Sequence, residues 1–471
     1  EKYYTAGYIK DTDFCFDMLA EYKNADELTA EQKNRRTEIL TNLAANGIYV
    51  GGLPDVAENA AVMAEVIETA FSYQNSFEYA EMLAKMRVGV TNGTNIADSV
   101  GTGITYQLVS QAVEKALEAP EDFVWSYIAV MFYNNQEQHS LYLTADYSDD
   151  KRILAVVENF EKQFEKQLGK DITKEERLGI KKLVMQTYLR ALALDKCADY
   201  GLEALKEFDN FFIRENTMYA LLKTGRYDEC LKLAKEVQDD TNPVPLYYAA
   251  AATLESGEFD ASAEYVLKLA KQVRTSEYPK KADELLHSYF SLLVVDTETT
   301  KAKYSILSDE QINKLNSDEF LKNYLAAYVN ACYPSYGDHS IYDDAYTQAM
   351  ETALAAVDRV ISERGELCYP YYLKGVTFMQ QKKYDEAVAA YKKAIDYKSD
   401  DPMIWYALYA AYEELEEWEN AYTAAEIAIG LSPWFNYYSD YEGIGIHPYS
   451  YRDGAKAMIE KQHEASQKGG N

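Results

Sequence analysis

The chain has 471 residues, 26% of them charged, with a formal net charge of −30. A field of that sign repels nucleic-acid phosphates and anionic lipid, so both are excluded as expected partners and neutral or basic ones are favoured. Ala, Leu, Glu and Lys dominate while Pro numbers only 10, a balance that favours helices. The longest apolar run, Val124 to Tyr133, is about half of the roughly 18–20 residues that a membrane span needs. The five cysteines, Cys15, Cys197, Cys230, Cys332 and Cys368, are widely spaced and form no CxxC, which argues against a disulfide framework or a zinc site. The chain opens at Glu1 without Met. An ectodomain or secreted segment is the preferred explanation, and a cut cytosolic piece the competing one.

Taken in chain order, residues 1–195 read as an irregular helical domain. Ala60 to Phe71 carries Val62, Val66 and Ile67 on one face. Tyr106 to Leu117 carries Leu108, Val109, Ala112, Val113 and Ala116 at helical spacing. Between them, the glycines from Gly89 to Gly103 mark a loop, and Asp146 to Asp150 marks another. A charged amphipathic helix is expected from about Lys151 to Gln167. Thr173 and Glu176 then stand as a capping box.

From about residue 196 the pattern tightens into helical pairs. Gly225 to Cys230, Gly257 to Ser262, Lys382 to Ala387 and Glu416 to Ala421 each hold a short turn, an aromatic, an acid and a small residue. The aromatic fills the gap between paired helices, and the small residue lets the second helix come close. Ala353, Ala387, Ala421 and Ala455 follow one another at intervals of 34 residues. Tyr371 is matched by Trp405, Phe378 by Tyr412, Tyr384 by Trp418 and Ala394 by Ala428 at the same interval. A period of that length in large and small apolar residues marks stacked helix-turn-helix units.

On these residues, together with Gly375, Tyr391, Leu408 and Pro433, the chain resembles the tetratricopeptide repeat (TPR) family. The resemblance is strongest from about Tyr369 to Pro433 and looser over residues 211–273. Lys374, Lys382 and Ser399 depart from the family's Leu, Gly and Pro, and shifted helix ends are expected there. The fold expected is all-α: a TPR or TPR-like solenoid in the C-terminal half, with a less regular helical domain before it. Four segments follow: 1–195 irregular helical; 196–300 degenerate repeats; 301–365 a helical connection with a degenerate repeat; 366–471 the C-terminal repeats and a capping helix. That last helix is expected near Asp453 to Ala465, after an aromatic connection from Trp434 to Tyr441, where it would cover the open end of the stack.

Chemistry is poorly signalled. His139, His287, His339, His447 and His463 show no metal-ligand spacing, and HExxH and GxSxG are absent. Gly101-Thr-Gly103 lacks the Lys-Ser/Thr of a phosphate loop, and the acids at Asp11, Asp13 and Asp146 to Asp150 do not fit a calcium loop. No enzyme, metal or cofactor is expected.

The resemblance places the first helix of each pair along a concave face. Partner-binding candidates on that face are Tyr369, Tyr372, Val376, Met379, Met403, Tyr406, Glu413, Tyr219 and Tyr247. Some TPRs hold a terminal carboxylate with Lys and Asn. Here Tyr372 and Val376 stand at those places, so that clamp is not carried over. The function expected is a non-enzymatic scaffold binding a peptide or protein segment in a Tyr-lined, acidic-rimmed groove. Burial of the groove by the chain's own N-terminal helices, or by a second copy, is the competing use of the same face. A surface glycan- or small-ligand-binding protein using the aromatics from Trp434 to Tyr441 is the alternative from another class.

Overall fold

The computed structural model describes residues 29–32, 106–121, 123–135, 152–168, 173–237, 242–275, 279–294, 307–332, 344–431 and 448–468. Every regular element among them is a helix. The expectations for 60–71, 89–103, 146–150 and 434–441, and those for Asp11, Asp13, Cys15, His139, His339 and His447, lie outside the described residues. The chain divides into two compact units, Glu1–Ile213 and Arg214–Asn471.

The first unit contains α1 (Tyr106–Glu118), α2 (Phe123–Asn135), α3 (Arg152–Leu168), α4 (Lys174–Arg190) and α5 (Leu194–Ala204). Helix α1 packs on α2, and α2 on α3 and α4. Ala112, Val113 and Ala116 of α1 are buried, as their spacing requires. In α3 the stripe Ile153, Val156, Val157 and Phe160 turns inward, and the Phe160 ring lies 5.7 Å from that of Tyr127.

The second unit continues with α6 (Phe211–Lys223, straddling the division), α7 (Tyr227–Lys235), α8 (Pro243–Glu255), α9 (Phe259–Thr275) and α10 (Pro279–Val294). Then come α11 (Asp309–Leu315), α12 (Glu319–Ala331), α13 (Asp344–Glu363), α14 (Cys368–Gln380) and α15 (Tyr384–Tyr397). The last are α16 (Pro402–Glu414), α17 (Trp418–Leu431) and α18 (Pro448–Lys468). Helices α8 and α9, α12 and α13, α14 and α15, and α16 and α17 pack as pairs. The second helix of each pair also packs on the helix that follows: α9 on α10, α13 on α14, α15 on α16 and α17 on α18. This nearest-neighbour stacking makes the unit a helical solenoid.

One turn recurs between paired helices. Leu192, Gly225, Gly257, Lys382 and Glu416 all take the left-handed conformation, with φ of 51°, 74°, 83°, 57° and 57°. Around each, the same two backbone bonds close the helix that ends there. Lys383 N–H donates to Phe378 O at 2.9 Å and Lys382 N–H to Met379 O at 3.0 Å. Glu417 and Glu416 repeat these bonds to Tyr412 and Glu413, and Ala193 and Leu192 repeat them to Tyr188 and Leu189. This is the Schellman closure, in which orphan carbonyls at a helix end are satisfied by the residues just past it. Lys382 therefore does in this turn what Gly225 and Gly257 do in theirs. The expected shift of helix ends is not seen: α14 and α16, and likewise α15 and α17, begin and end 34 residues apart.

Five residues after each left-handed residue stands the small one: Cys197, Cys230, Ser262, Ala387 and Ala421, none more than 1% exposed. Where that residue is polar it bonds the carbonyl twelve residues back. Ser262 Oγ donates to Ala250 O at 2.8 Å and Cys230 Sγ to Met218 O at 3.4 Å, while Cys197 Sγ lies 4.0 Å from Met185 O. Burial pushes the Cys197 and Cys230 thiols up to about 12, so both act as small packing groups. Helices α4 and α5 thus share the repeat's turn and seam, one period before the pairs that the sequence reveals.

Candidate interaction face

The candidate face of the last pairs lies on their first helices, α14 and α16. Helix α16 begins at an Asp401 cap: its Oδ1 accepts from Met403 N–H at 2.9 Å, with Pro402 in the first turn. Helix α14 has Leu367 at the cap position, which offers no side-chain acceptor. Its cap comes from α10 instead. Asp283 Oδ2 accepts from Cys368 N–H and Tyr369 N–H, each at 3.1 Å, and Oδ1 accepts from the Tyr324 hydroxyl at 2.6 Å. Asp283 is fully buried, and desolvation raises it to about 7 in spite of these bonds and with some help from Glu284.

One turn further along α10, His287 stacks on Tyr369 at 4.3 Å and 17°. Tyr328 and Tyr372 meet the same imidazole edge-on at 5.1 and 5.6 Å. The enclosed Nδ1 has no hydrogen-bond partner. Burial lowers the imidazole to about 3, so it is a neutral aromatic here. The Tyr369 hydroxyl donates to Asp401 Oδ2 at 2.6 Å. Burial first, and then the charge and hydrogen bond of Asp401, push the phenol far above its ordinary value. A polar thread therefore runs from Asp283 through Tyr369 to Asp401 and fixes the starts of two successive first helices.

The candidates named from sequence fall in four places. Tyr372, Val376, Met379 and Tyr406 are half-buried and pack on one core cluster that includes Tyr391, Leu408 and Tyr409. Across the 34-residue step Tyr372 matches Tyr406, Val376 matches Ala410 and Met379 matches Glu413, so apolar rows cross both repeats and one row ends in a carboxylate. Glu413 Oε1 accepts from the Tyr409 hydroxyl at 2.8 Å. Tyr451 of α18 lies 5.5 Å from the Tyr406 ring and 5.3 Å from that of Tyr409.

Tyr369 belongs beneath this face: it is buried and its hydroxyl is already bonded. Met403 is half-buried at the start of α16 and stands apart from the shared cluster. Tyr219 and Tyr247 lie elsewhere, around the buried Tyr248, with Tyr247 5.0 Å from it edge-on. Glu215 beside them is 3.7 Å from Lys281 Nζ, which is 3.0 Å from Glu284, which in turn is 3.2 Å from Lys398 Nζ. This ion chain ties the earlier tyrosines to α10 and to the end of α15. Sequence reasoning missed Asp283, His287, Lys281 and Glu284. Asp283, Glu284 and His287 share one face of α10, the one signal available, and the partners of Asp283 and His287 lie far away in the chain.

Among the described residues no group of His, Cys, Asp and Glu is arranged to hold a metal ion, and no helix is long and apolar enough to cross a membrane. Residues 375–415 match the family model described as TPR repeat. Among solved structures, the chain is similar to the TPR2AB domain of yeast Sti1 in complex with an HSP90 peptide, at 14% identity and a TM-score of 0.23 over 59% of this chain and 97% of that one. It is also similar to the Cut9–Hcn1 hetero-tetramer of the APC/C, at 10% identity and a TM-score of 0.26 over 89% of this chain and 85% of that one. No curated protein matches it. The match over 375–415 falls on the helices whose turns and buried alanines keep the 34-residue step, and this stretch of the chain carries the tetratricopeptide repeat.

Proposed function

We propose that the chain is a protein–protein interaction scaffold whose face on α14 and α16 holds a peptide or protein segment. The observation that supports this reading most is the pair of matched rows, Tyr372 with Tyr406 and Val376 with Ala410, rooted in the core yet only half-buried. Rings held this way offer a large contact area at low entropy cost, and such rigid aromatics are the usual anchors of interfaces. The acidic balance of the chain favours a neutral or basic segment.

Affinity capture from native extract with wild type and with Tyr372→Ala/Tyr406→Ala tests the reading. The double variant loses specific partners by about 2 kcal/mol or more, roughly thirtyfold in affinity. Identical partner lists from the two proteins, with helix content unchanged by circular dichroism, would remove this face from consideration.

A further inference from the structure

We propose that Glu413 makes the face select a cation, so that the partner segment carries a lysine or arginine next to its apolar anchor. This rests on the scaffold reading above. Three observations support it. First, Glu413 replaces the Met379 of the preceding repeat, so the row beside the apolar anchor site ends in a carboxylate. Ala410 and Glu413 are about 4.5 Å apart along the helix axis, within the reach of one long basic side chain.

Second, the carboxylate is aimed. The Tyr409 hydroxyl donates to Oε1 at 2.8 Å, and Tyr409 itself is only 1% exposed, so the donor is fixed by the core. A carboxylate oriented by one neutral donor keeps acceptor capacity for a charged one.

Third, three other carboxylates of these helices already have partners, whereas Glu413 has no cation among the described residues. Glu284 pairs with Lys281 and Lys398, Glu426 pairs with Arg452, and Asp401 takes Tyr369 and the start of α16. Among the described residues no basic side chain forms an ion pair with Glu413. Exposed Glu414, Glu416 and Glu417 in the same turn add to the negative potential. Tyr372 and Val376 supply no positive charge that would hold an anionic segment.

The test is selection from a random peptide library displayed on phage, run against wild type, Tyr372→Ala, Glu413→Gln and Glu413→Lys, each checked for helix content. Wild type is expected to enrich peptides with a basic residue beside an aromatic or aliphatic one, bound more weakly as salt rises. Glu413→Gln weakens the enriched peptides about tenfold and erases the basic bias. Glu413→Lys turns the bias acidic, and Tyr372→Ala removes enrichment altogether. Enriched peptides that need Tyr372 but show no basic bias, or keep it in Glu413→Gln, overturn the cation proposal and leave the scaffold reading standing. No enrichment on wild type, or enrichment indifferent to Tyr372, overturns both.

Discussion

Asp283 carries structural consequence well beyond its own helix. It is buried among Tyr324 of α12, the first N–H groups of α14 and its own helix neighbour Glu284. Its folded-state value, about 7, stands above the ordinary carboxylate value of about 4. A group raised on folding contributes stability that is complete below the unfolded value and is lost as pH rises through the folded one. Stability against heat is therefore expected to fall as pH rises from about 4 to 7, by no more than about 4 kcal/mol from this group. Asp283→Asn keeps an acceptor for the α14 amides and should flatten that slope when melting is followed by calorimetry across pH. Asp283→Ala leaves two N–H groups and a phenol unsatisfied and should cost about 3 kcal/mol or more at any pH.

At the scale of the element, the turn decides. Glycine adopts the left-handed conformation freely, while other residues pay about 1–2 kcal/mol for it. Lys382→Gly and Glu416→Gly are each expected to stabilise the fold by about 0.5–1 kcal/mol in denaturant titrations, because glycine's extra unfolded-state entropy offsets part of the relief. Gly375→Ala should do the reverse. A Cβ there would stand 2.4 Å from the buried Tyr391 ring, inside the close approach of α14 and α15. Overpacking of this kind costs about 1–3 kcal/mol. These contacts also explain what sequence could show. Ala387, Ala421 and their aromatic partners were legible because each sits in the same local seam and accepts few residue types. The start of α4 at Thr173 was legible too, but its pairing with α5 was not, since Leu192, Cys197 and Met185 fill the turn, the seam and the facing position with residues that do not advertise the role. The candidate face was half legible. Tyr372 and Tyr406 follow from the period, but His287 and Asp283 reach α14 across some eighty residues, a separation no local pattern encodes.

For the whole molecule, repetition sets a question of where stacking stops. Helix α18 packs on α17, sets Tyr451 against Tyr406 and Tyr409, and buries Ala455. Its other side carries exposed Lys456, Glu460, Lys461 and His463. Deleting residues 448–468 would bare the buried Tyr409 and the alanine seam of α17. Light scattering of that variant is expected to show concentration-dependent growth in mass, while wild type keeps one size.

Each pair in such a stack offers its successor a surface much like the one it was offered. Nothing in that rule of addition contains a full stop. Helix α18 departs from it: Tyr451 and Ala455 pack on the column while Lys456, Glu460, Lys461 and His463 are exposed. Two molecules meeting at that end find salt and water where a bare seam would have let them join head to tail into a fibre.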